Sequence, residues 1–331
     1  MNNAHFLPLT FFAVTVLALG ASADVSYLDL GRQHCTFFYD GELHKIYQNM
    51  SAEMQEALGG EKGLITFHGQ ALAQLGREVA IVAETTQEVG GVNVYLRTAR
   101  FDKVDQLIHV QWAFAENGVV VGFYIRPVQK EAPSEFLDYE TRTELELPFE
   151  GEWFVFWGGR TLAKNYHAST EDQRFAYDIL MMKDGSTHRR GGKSNADYHC
   201  FGRPIFAPAS GVVIAAENGV EDNVPGAMNS KQAMGNHVIL EHGNGEYSFL
   251  AHFKKGSVAV EKGQAIEARD LLGLCGNSGN SSEPHLHYHL QNGPVFQQGK
   301  GLPAQFKNYI AGGKPVSRGE PVKGQTIRRG P

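Results

Sequence analysis

The sequence contains little cysteine, and its positively charged residues do not outnumber its negatively charged ones. Three of its 331 residues are cysteine, at positions 35, 200 and 275. Lysine and arginine number 30 against 36 aspartate and glutamate, which gives a formal net charge of −6. A protein that binds nucleic acid presents a basic face to the phosphates, so this balance argues against a nucleic-acid partner.

Long hydrophobic runs are absent after the first 20 residues. The apolar run over residues 6–20 is shorter than the roughly 20 residues that a bilayer span needs. It is followed by Ala21, Ser22 and Ala23, the small-x-small pattern of a signal-peptidase site. We expect residues 1–23 to be a cleaved signal peptide, with an uncleaved anchor as the alternative. The mature chain is then expected outside the cytoplasm, secreted or periplasmic, with no membrane span.

An odd number of cysteines in a secreted chain leaves at least one thiol free or paired between chains. Cys200 and Cys275 both lie near the histidine-bearing segments described below. One disulfide between these two residues is one interpretation, and two buried thiols are the other. The oligomeric state cannot be derived from this pattern.

Residues 24–130 have the pattern of a small α+β domain. Ser51 is a candidate N-cap for a short helix that Gly59 ends, and a second amphipathic stretch over residues 64–75 stops at Gly76. Four apolar runs follow, and Asn117-Gly118 between the last two predicts a hairpin. Helices followed by a meander predict a half-cone sheet wrapped on helices, which resembles the small cone-shaped domains related to nuclear transport factor.

The residue composition and the hydrophobic pattern change in the rest of the chain. Residues 131–150, rich in proline and glutamate, are expected to form a linker. Short apolar stretches separated by Gly, Asn and Pro then predict a β-rich, mainly antiparallel domain over residues 151–297, with one strand over residues 204–214. Residues 298–331 are expected to be a C-terminal extension that wraps this domain and ends irregularly.

Nine of the fourteen histidines lie between His167 and His289, and three of them alternate. On a strand, His285, His287 and His289 share one face, while the intervening Leu286 and Tyr288 face the core. This alternation is typical of a metal site, but an exposed strand rich in histidine has the same pattern.

The segments before these histidines add an ordered set of motifs. They are a Tyr-x4-His strand ending near His252, a Val-x-x-Gly turn at residues 260–263, and the loop Gly276-Asn277-Ser278-Gly279. In this order the chain resembles the lysostaphin-type, peptidoglycan-cleaving zinc metallopeptidases, over residues 165–294. The resemblance implies a Zn²⁺ cofactor and a substrate peptide bond in the stem or cross-bridge of bacterial peptidoglycan.

The resemblance also implies roles for individual residues. His287, the second histidine of the His-x-His pair, would be a zinc ligand. His285 and His252 would be catalytic, since they would orient or deprotonate the water bound to zinc. Asp178 matches the aspartate that the family supplies as another ligand. His289 lies past the paired positions and is expected behind the ligands or at the rim.

The third ligand is less well determined by the sequence. The family has a histidine four residues before the aspartate, but that position is Arg174 here, which cannot bind zinc. His167 is the nearest upstream histidine and is the predicted replacement. The alternatives are His188 or His199, which lie in an insertion over residues 182–201, or a site with too few ligands for catalysis.

The resulting prediction is a zinc metalloendopeptidase that hydrolyses peptidoglycan. The main alternative is a non-catalytic relative that binds wall peptide or activates another hydrolase. A zinc hydrolase of a different substrate, such as an ester or a free peptide, shares the metal prediction but would release no wall fragments.

Overall fold

The computed structural model describes residues 26–331, which divide into two compact units, one ending at Val128 and the other spanning Gln129–Pro331. The predicted signal peptide, residues 1–23, lies outside the described residues. Within residues 26–331, no helix combines the length and the apolar character needed to cross a membrane.

The first unit begins with four helices, α1 (Tyr27–Tyr39), α2 (Leu43–Gln48), α3 (Ala52–Ala57) and α4 (Glu61–Leu75). The Ser51 side chain accepts a hydrogen bond from the Met54 N–H at 3.3 Å, which is the N-cap expected for α3. Helix α4 ends at Gly76, in a backbone conformation with positive φ. The sequence signals for α3 and the end of α4 are therefore confirmed, whereas α1 was not predicted.

Four strands follow and form one antiparallel sheet in the order β1-β2-β3-β4. They are β1 (Glu78–Val89), β2 (Val92–Phe101), β3 (Val104–Phe114) and β4 (Val120–Pro127). Phe38 and Ile46 from the helices share one core with Trp112 and Phe123, whose rings stack at 3.9 Å. The α+β character of this unit is confirmed, and its cone-like shape stays a prediction.

The second unit is built mainly from antiparallel strands, as predicted. Its strands are β5 (Trp153–Trp157), β6 (Tyr177–Leu180), β7 (Pro204–Phe206), β8 (Gly211–Glu217), β9 (Asn236–Glu241), β10 (Tyr247–Phe253), β11 (Ala265–Ile266), β12 (Leu271–Leu274), β13 (Leu286–Gln291), β14 (Gly301–Leu302), β15 (Phe306–Ala311), β16 (Lys314–Gly319) and β17 (Thr326–Arg329). The large sheet has the order β11-β8-β9-β10-β13-β6-β5-β17-β15-β16, β14 adds to β13, and β12 pairs with β7.

Strand β13 lies between β10 and β6 and separates two environments. Leu286, Tyr288 and Leu290 face a core that is closed to solvent. The alternate residues His287, His289 and Gln291 are also buried but face the other side of the sheet. The alternation read from the sequence therefore corresponds to a real division between core and site.

Two local expectations differ from the structure. The single strand expected over residues 204–214 is two strands, β7 and β8, because Pro208 between them has no N–H for a ladder hydrogen bond. The chain end is not irregular: β17 pairs with β5, and its Ile327 is fully buried in the core. All three cysteines are free and buried, as in the two-thiol interpretation.

Residues 129–150 belong to the compact second unit. Leu145, Leu147 and Phe149 are buried in its core. Glu246, which is fully buried between β9 and β10, accepts hydrogen bonds from the backbone N–H groups of Arg142 and Thr143 at 2.6 and 2.7 Å. The hydroxyl groups of Tyr139 and Thr143 donate to the same carboxylate. The segment expected as a linker is thus held by a buried carboxylate.

Candidate metal centre and catalytic cleft

Asp178 and His287 lie opposite one another on neighbouring strands. Asp178 is the second residue of β6, and the antiparallel pairing of β6 with β13 places it directly across from His287. The Nδ1 atom of His287 is 2.9 Å from Oδ1 of Asp178. The sheet register alone brings these two side chains together, although 109 residues separate them in the chain.

His167 reaches the same carboxylate from a loop. It lies in a short 3-10 helix, Tyr166–Ser169, and its Nδ1–H donates to Oδ1 of Asn165 at 2.9 Å. Two further hydrogen bonds, from Nδ2 of Asn165 to the carbonyl oxygens of Gly159 and Ala176, fix the asparagine. The remaining nitrogen of His167, Nε2, is 3.6 Å from Oδ1 of Asp178.

His167, Asp178 and His287 form a buried group whose candidate ligand atoms all lie within 4.8 Å of one another. Two imidazoles and one carboxylate are a donor set that catalytic zinc sites use, and such sites leave the fourth position for water or substrate. The residues therefore fit a zinc ion. Neither His188 nor His199 belongs to this group. Arg174 is turned away, and its guanidinium donates to the carbonyl oxygen of Arg160.

His252 reaches the cleft through an irregularity in β10. Strict alternation would turn it toward the core beside Leu250, because Ala251 already faces the cleft. The pairing of β10 with β9 shifts register between Ala251 and Phe253, and His252 has a φ of 67°. This bulge puts two consecutive side chains on the cleft side, which is a common use of bulges near active sites.

The loop between β12 and β13 orients both candidate catalytic histidines. The carbonyl oxygen of Ser278 accepts from Nδ1–H of His252 at 2.7 Å, and that of Glu283 accepts from Nδ1–H of His285 at 2.8 Å. Both rings therefore present Nε2, and Nε2 of His285 lies 3.6 Å from Oδ1 of Asp178. Gly279 has a φ of 82°, and a Cβ there would lie 2.4 Å from the backbone nitrogen of Gly235.

Burial and the single carboxylate dominate the electrostatics of the group. Burial lowers the pKa of His167 to about 3 and the pKa of His252 well below its ordinary range, so both imidazoles are neutral near pH 7. Burial opposes ionisation of Asp178, but attraction to the charged forms of His167 and His285, together with hydrogen bonds from His285 and His287, outweighs it and holds the Asp178 pKa well below its usual range. For His285, burial is outweighed by Asp178, and the pKa rises to about 9.

A small cleft of about 60 Å³ opens onto His167, His252 and His287. Its walls include four residues that the sequence motifs did not single out for the site, namely Met234, Gln173, Asn280 and Phe296. Tyr166 also lines it, and its ring lies 3.9 Å from the ring of His167. The structure thus brings together all five residues predicted for the site, His167, Asp178, His252, His285 and His287. The sequence did not reveal the residues that orient these histidines, which are Asn165, Ser278 and Glu283. Ser278 and Glu283 act through backbone carbonyls, which have no signature in the sequence.

Residues 193–300 match the model of the family described as "Peptidase family M23". The chain contains an M23 peptidase domain. This confirms the resemblance to peptidoglycan-cleaving metallopeptidases at the level of the family. The matched region holds His252, His285 and His287, while His167 and Asp178 precede it, so the geometry alone joins those two to the M23 histidines.

Curated relatives share the same part of the chain. The M23 domain is 35% identical over 89 residues to the peptidoglycan DD-endopeptidase ShyA of Vibrio cholerae, which is 27% of this chain and 17% of that protein. It is 35% identical over 89 residues to an uncharacterized metalloprotease of Haemophilus influenzae, which is 26% of this chain and 16% of that protein. The chain therefore spans less than a fifth of these two relatives' own length.

Parts of the chain are weakly similar to solved structures. The catalytic domain of lysostaphin from Staphylococcus simulans has 19% sequence identity, with 46% of this chain and 88% of that chain covered and a TM-score of 0.28. A zinc-containing peptidase from Vibrio cholerae has 16% identity, with 66% and 59% covered and a TM-score of 0.26. At such TM-scores these likenesses carry no weight for the M23 assignment.

Proposed function

We propose that this protein is a zinc-dependent endopeptidase that hydrolyses peptide bonds in the stem or cross-link peptides of bacterial peptidoglycan. The observation that carries the proposal is the convergence of His167, Asp178 and His287 on one point, with His252 on the cleft wall and Nε2 of His285 3.6 Å from Oδ1 of Asp178. The M23 match supports the reaction class, and the name of ShyA supports the substrate class.

Zinc would be held by Nε2 of His167, a carboxylate oxygen of Asp178 and Nδ1 of His287. When bound there, it supplies a Lewis acid that polarises the scissile carbonyl and makes water more acidic. The surrounding structure holds these ligand atoms in place. A hydrogen bond to Asn165 fixes the ring of His167, and the strand register fixes Asp178 against His287. Their burial removes competing solvent from the three ligand atoms.

His252 is suited to accept a proton from the attacking water. Its Nδ1–H donates to Ser278, so the unprotonated nitrogen is Nε2, which faces the cleft. Burial keeps the ring neutral, and a neutral imidazole within reach of the reacting group can act as a general base. His285, held by Glu283, presents its Nε2 from the adjacent position and is suited to stabilise the developing oxyanion or protonate the leaving amine.

An extracytoplasmic location, secreted or periplasmic, belongs to this proposal. It rests on the signal-peptide pattern of residues 1–23 and on the place where peptidoglycan is found. Among the described residues, the helices and sheet of the first unit carry no candidate metal group.

The test is digestion of purified peptidoglycan by the full mature chain, with zinc content measured on the same preparation. We expect one zinc per chain, release of soluble peptide-bearing fragments, and loss of release after chelation that added zinc restores. His252→Ala and His287→Ala should both abolish release, but only His287→Ala should lose zinc. Binding to peptidoglycan without any release by the zinc-loaded wild type would instead support a non-catalytic wall-binding relative. Cleavage of free peptides but not of peptidoglycan would contradict the substrate class.

A further inference from the structure

His287 has a second nitrogen partner that faces away from Asp178. Its Nε2 lies 3.0 Å from Nδ1 of His289, two residues further along the same face of β13. Only one of these two nitrogens can carry a proton in this contact when both rings are neutral. Which one carries it decides whether Nδ1 of His287, on the side of Asp178, offers a proton or a lone pair.

The ring of His289 cannot turn freely to change this contact. It stacks on Phe249 of β10, with ring centroids 4.5 Å apart and an angle of 14° between the planes. Phe249 is the residue directly opposite His289 in the pairing of β10 with β13, and both side chains are buried. Nε2 of His289 is buried without a hydrogen-bond partner in the part of the chain that the structure describes.

Gln291 supplies the matching group. It is fully buried, and its Nε2 donates to the carbonyl oxygens of Gly293 and Val295 at 2.6 and 2.9 Å. Two carbonyl acceptors on one end of the amide require the NH₂ group there, so the other end is the oxygen. This Oε1 is buried without a partner within residues 26–331, and Gln291 lies two residues beyond His289 on the same buried face of β13.

One order of protons leaves the fewest of these buried atoms without a partner. Oε1 of Gln291 can only accept, so a proton on Nε2 of His289 is the arrangement in which these two unpaired atoms can satisfy each other. Nδ1 of His289 is then an acceptor, and Nε2 of His287 must carry the proton that it receives. Nδ1 of His287 is left as a lone pair 2.9 Å from the Asp178 oxygen, an arrangement of two electron donors that requires a cation.

We propose that His289 and Gln291 are positioning residues that fix His287 in the tautomer that binds metal through Nδ1. The proposal rests on the zinc site of the proposed function. Hydrogen-bond partners behind a ligating imidazole fix its tautomer and orientation, and removing one typically weakens metal binding about 10–100-fold. Gln291 also connects His289 to the loop of residues 293–299 through these two hydrogen bonds, and Phe296 of this loop lines the cleft.

The experiment compares His289→Phe with His289→Gln in the full mature chain. Phenylalanine keeps the stacking on Phe249 but removes the acceptor for His287, whereas glutamine keeps a side-chain oxygen that can accept. We expect zinc affinity, measured by competition with a chelator, to fall about 10–100-fold in His289→Phe and to recover most of that loss in His289→Gln. His237→Phe, a histidine change in the same sheet outside the metal group, is the matched control and should bind zinc like the wild type.

Nitrogen-15 NMR of histidine-labelled protein provides a readout that does not depend on activity. In the zinc-loaded wild type we expect metal on Nδ1 and a proton on Nε2 of His287. His289→Phe should show exchange between metal-binding modes or a shifted Nε2–H signal. Metal on Nε2 of His287 in the wild type, or unchanged zinc affinity in His289→Phe, would overturn the proposed positioning role of His289.

A variant in Gln291 keeps the test decisive if His289→Phe does not fold. Gln291→Met removes the amide while filling a similar volume, and we expect the Nε2–H signals of His287 and His289 to shift and zinc affinity to fall by a smaller factor than in His289→Phe. Unchanged signals would overturn the role of Gln291. A wild type that binds zinc through Nδ1 of His287 but leaves peptidoglycan intact would contradict the proposed function while supporting the positioning role of His289 and Gln291.

Discussion

The Nδ1 atom of His252 lies 2.7 Å from the carbonyl oxygen of Ser278, a residue of the Gly- and Asn-rich loop 26 positions later. A carbonyl can only accept, so the proton of the neutral ring is on Nδ1 and the lone pair of Nε2 faces the cleft. The loop therefore determines the tautomer of a candidate catalytic base through a backbone carbonyl.

We expect His252→Gln to lose hydrolysis and keep zinc. Glutamine cannot act as a general base, and the loss of such a residue typically lowers the rate by about 10²–10⁴-fold. His252 is not part of the metal group, so the zinc content should stay that of the wild type. The measurement is kcat/KM on peptidoglycan fragments together with metal analysis, with His237→Gln as the control. Loss of zinc together with activity would assign His252 to the ligands instead.

His167→Ala is expected to lower zinc affinity by more than the roughly 10–100-fold that a residue behind a ligand accounts for. The reason is that His167 supplies one of only three buried donors in the group. His188→Ala and His199→Ala are matched controls, because both residues lie in the insertion and outside the group. Chelator competition on the three variants distinguishes the two assignments, and a loss confined to His188→Ala or His199→Ala would move the ligand there.

Gly279→Ala should destabilise the second unit far more than Gly243→Ala. Both glycines have positive φ, 82° and 79°, and an alanine in that region costs about 1–2 kcal/mol. Only at Gly279 would the new Cβ also lie 2.4 Å from backbone, while nothing lies within 4 Å at Gly243. Chemical denaturation of both variants should therefore show an additional loss of about 2 kcal/mol or more for Gly279→Ala. Equal losses would mean that the loop moves away at little cost.

The acid stability of the first unit should depend on Glu84 in β1. Burial opposes ionisation of this residue, but hydrogen bonds from Arg32, Tyr95 and Arg97 lower the pKa of Glu84 to about 2. A lowered pKa in the folded state gives stability that is present above about pH 4.5 and lost as the pH falls toward 2.

Glu84→Gln should therefore be less stable than the wild type at pH 7, and the difference should shrink at pH 3. Hydrogen exchange of β1 and β2 amides at the two pH values measures it for this unit alone. Glu88→Gln, an exposed change on the same strand, is the control and should show no such difference. A constant difference between wild type and Glu84→Gln across this range would contradict the prediction.

The sequence was sufficient where one local rule decides the outcome. The alternation of His287 and His289 with Tyr288 and Leu290 predicts the two faces of β13, since side chains on a strand alternate. Ser51 and Gly76 predict helix ends because their side-chain or backbone chemistry suits those positions. These signals need no information about distant parts of the chain.

Helix α1 was missed because its buried face does not have an apolar composition. The residues that face the core are Gly31, His34, Cys35 and Phe38, at the spacing of a helix. Only one of the four is a large apolar residue, so hydrophobic periodicity does not reveal them. Their burial depends on the sheet that packs against them, which is formed by residues about 60 positions later.

The candidate site shows the same limit. Asp178 and His287 could be named from motifs, but the bulge that turns His252 into the cleft has no signature that alternation would reveal. The sequence predicted His167 but left His188 and His199 as alternatives, because the conformation of two irregular loops decides which ring reaches the carboxylate. The hydrogen bond from His167 to Asn165, two residues earlier, is the local contact that settles the orientation of His167 in the structure.

The buried carboxylate of Glu246 has a consequence for dissecting the protein. A fragment cut at residue 151, where the β-rich texture begins, would remove Tyr139, Arg142 and Thr143, which donate to Glu246. The Glu246 side chain would then lose these hydrogen-bond donors, which is destabilising for a buried polar group. A chimaera made by joining this part to another protein would meet the same obstacle, so the smallest portable unit that contains the M23 match begins near residue 129, ahead of the stretch that any motif identifies.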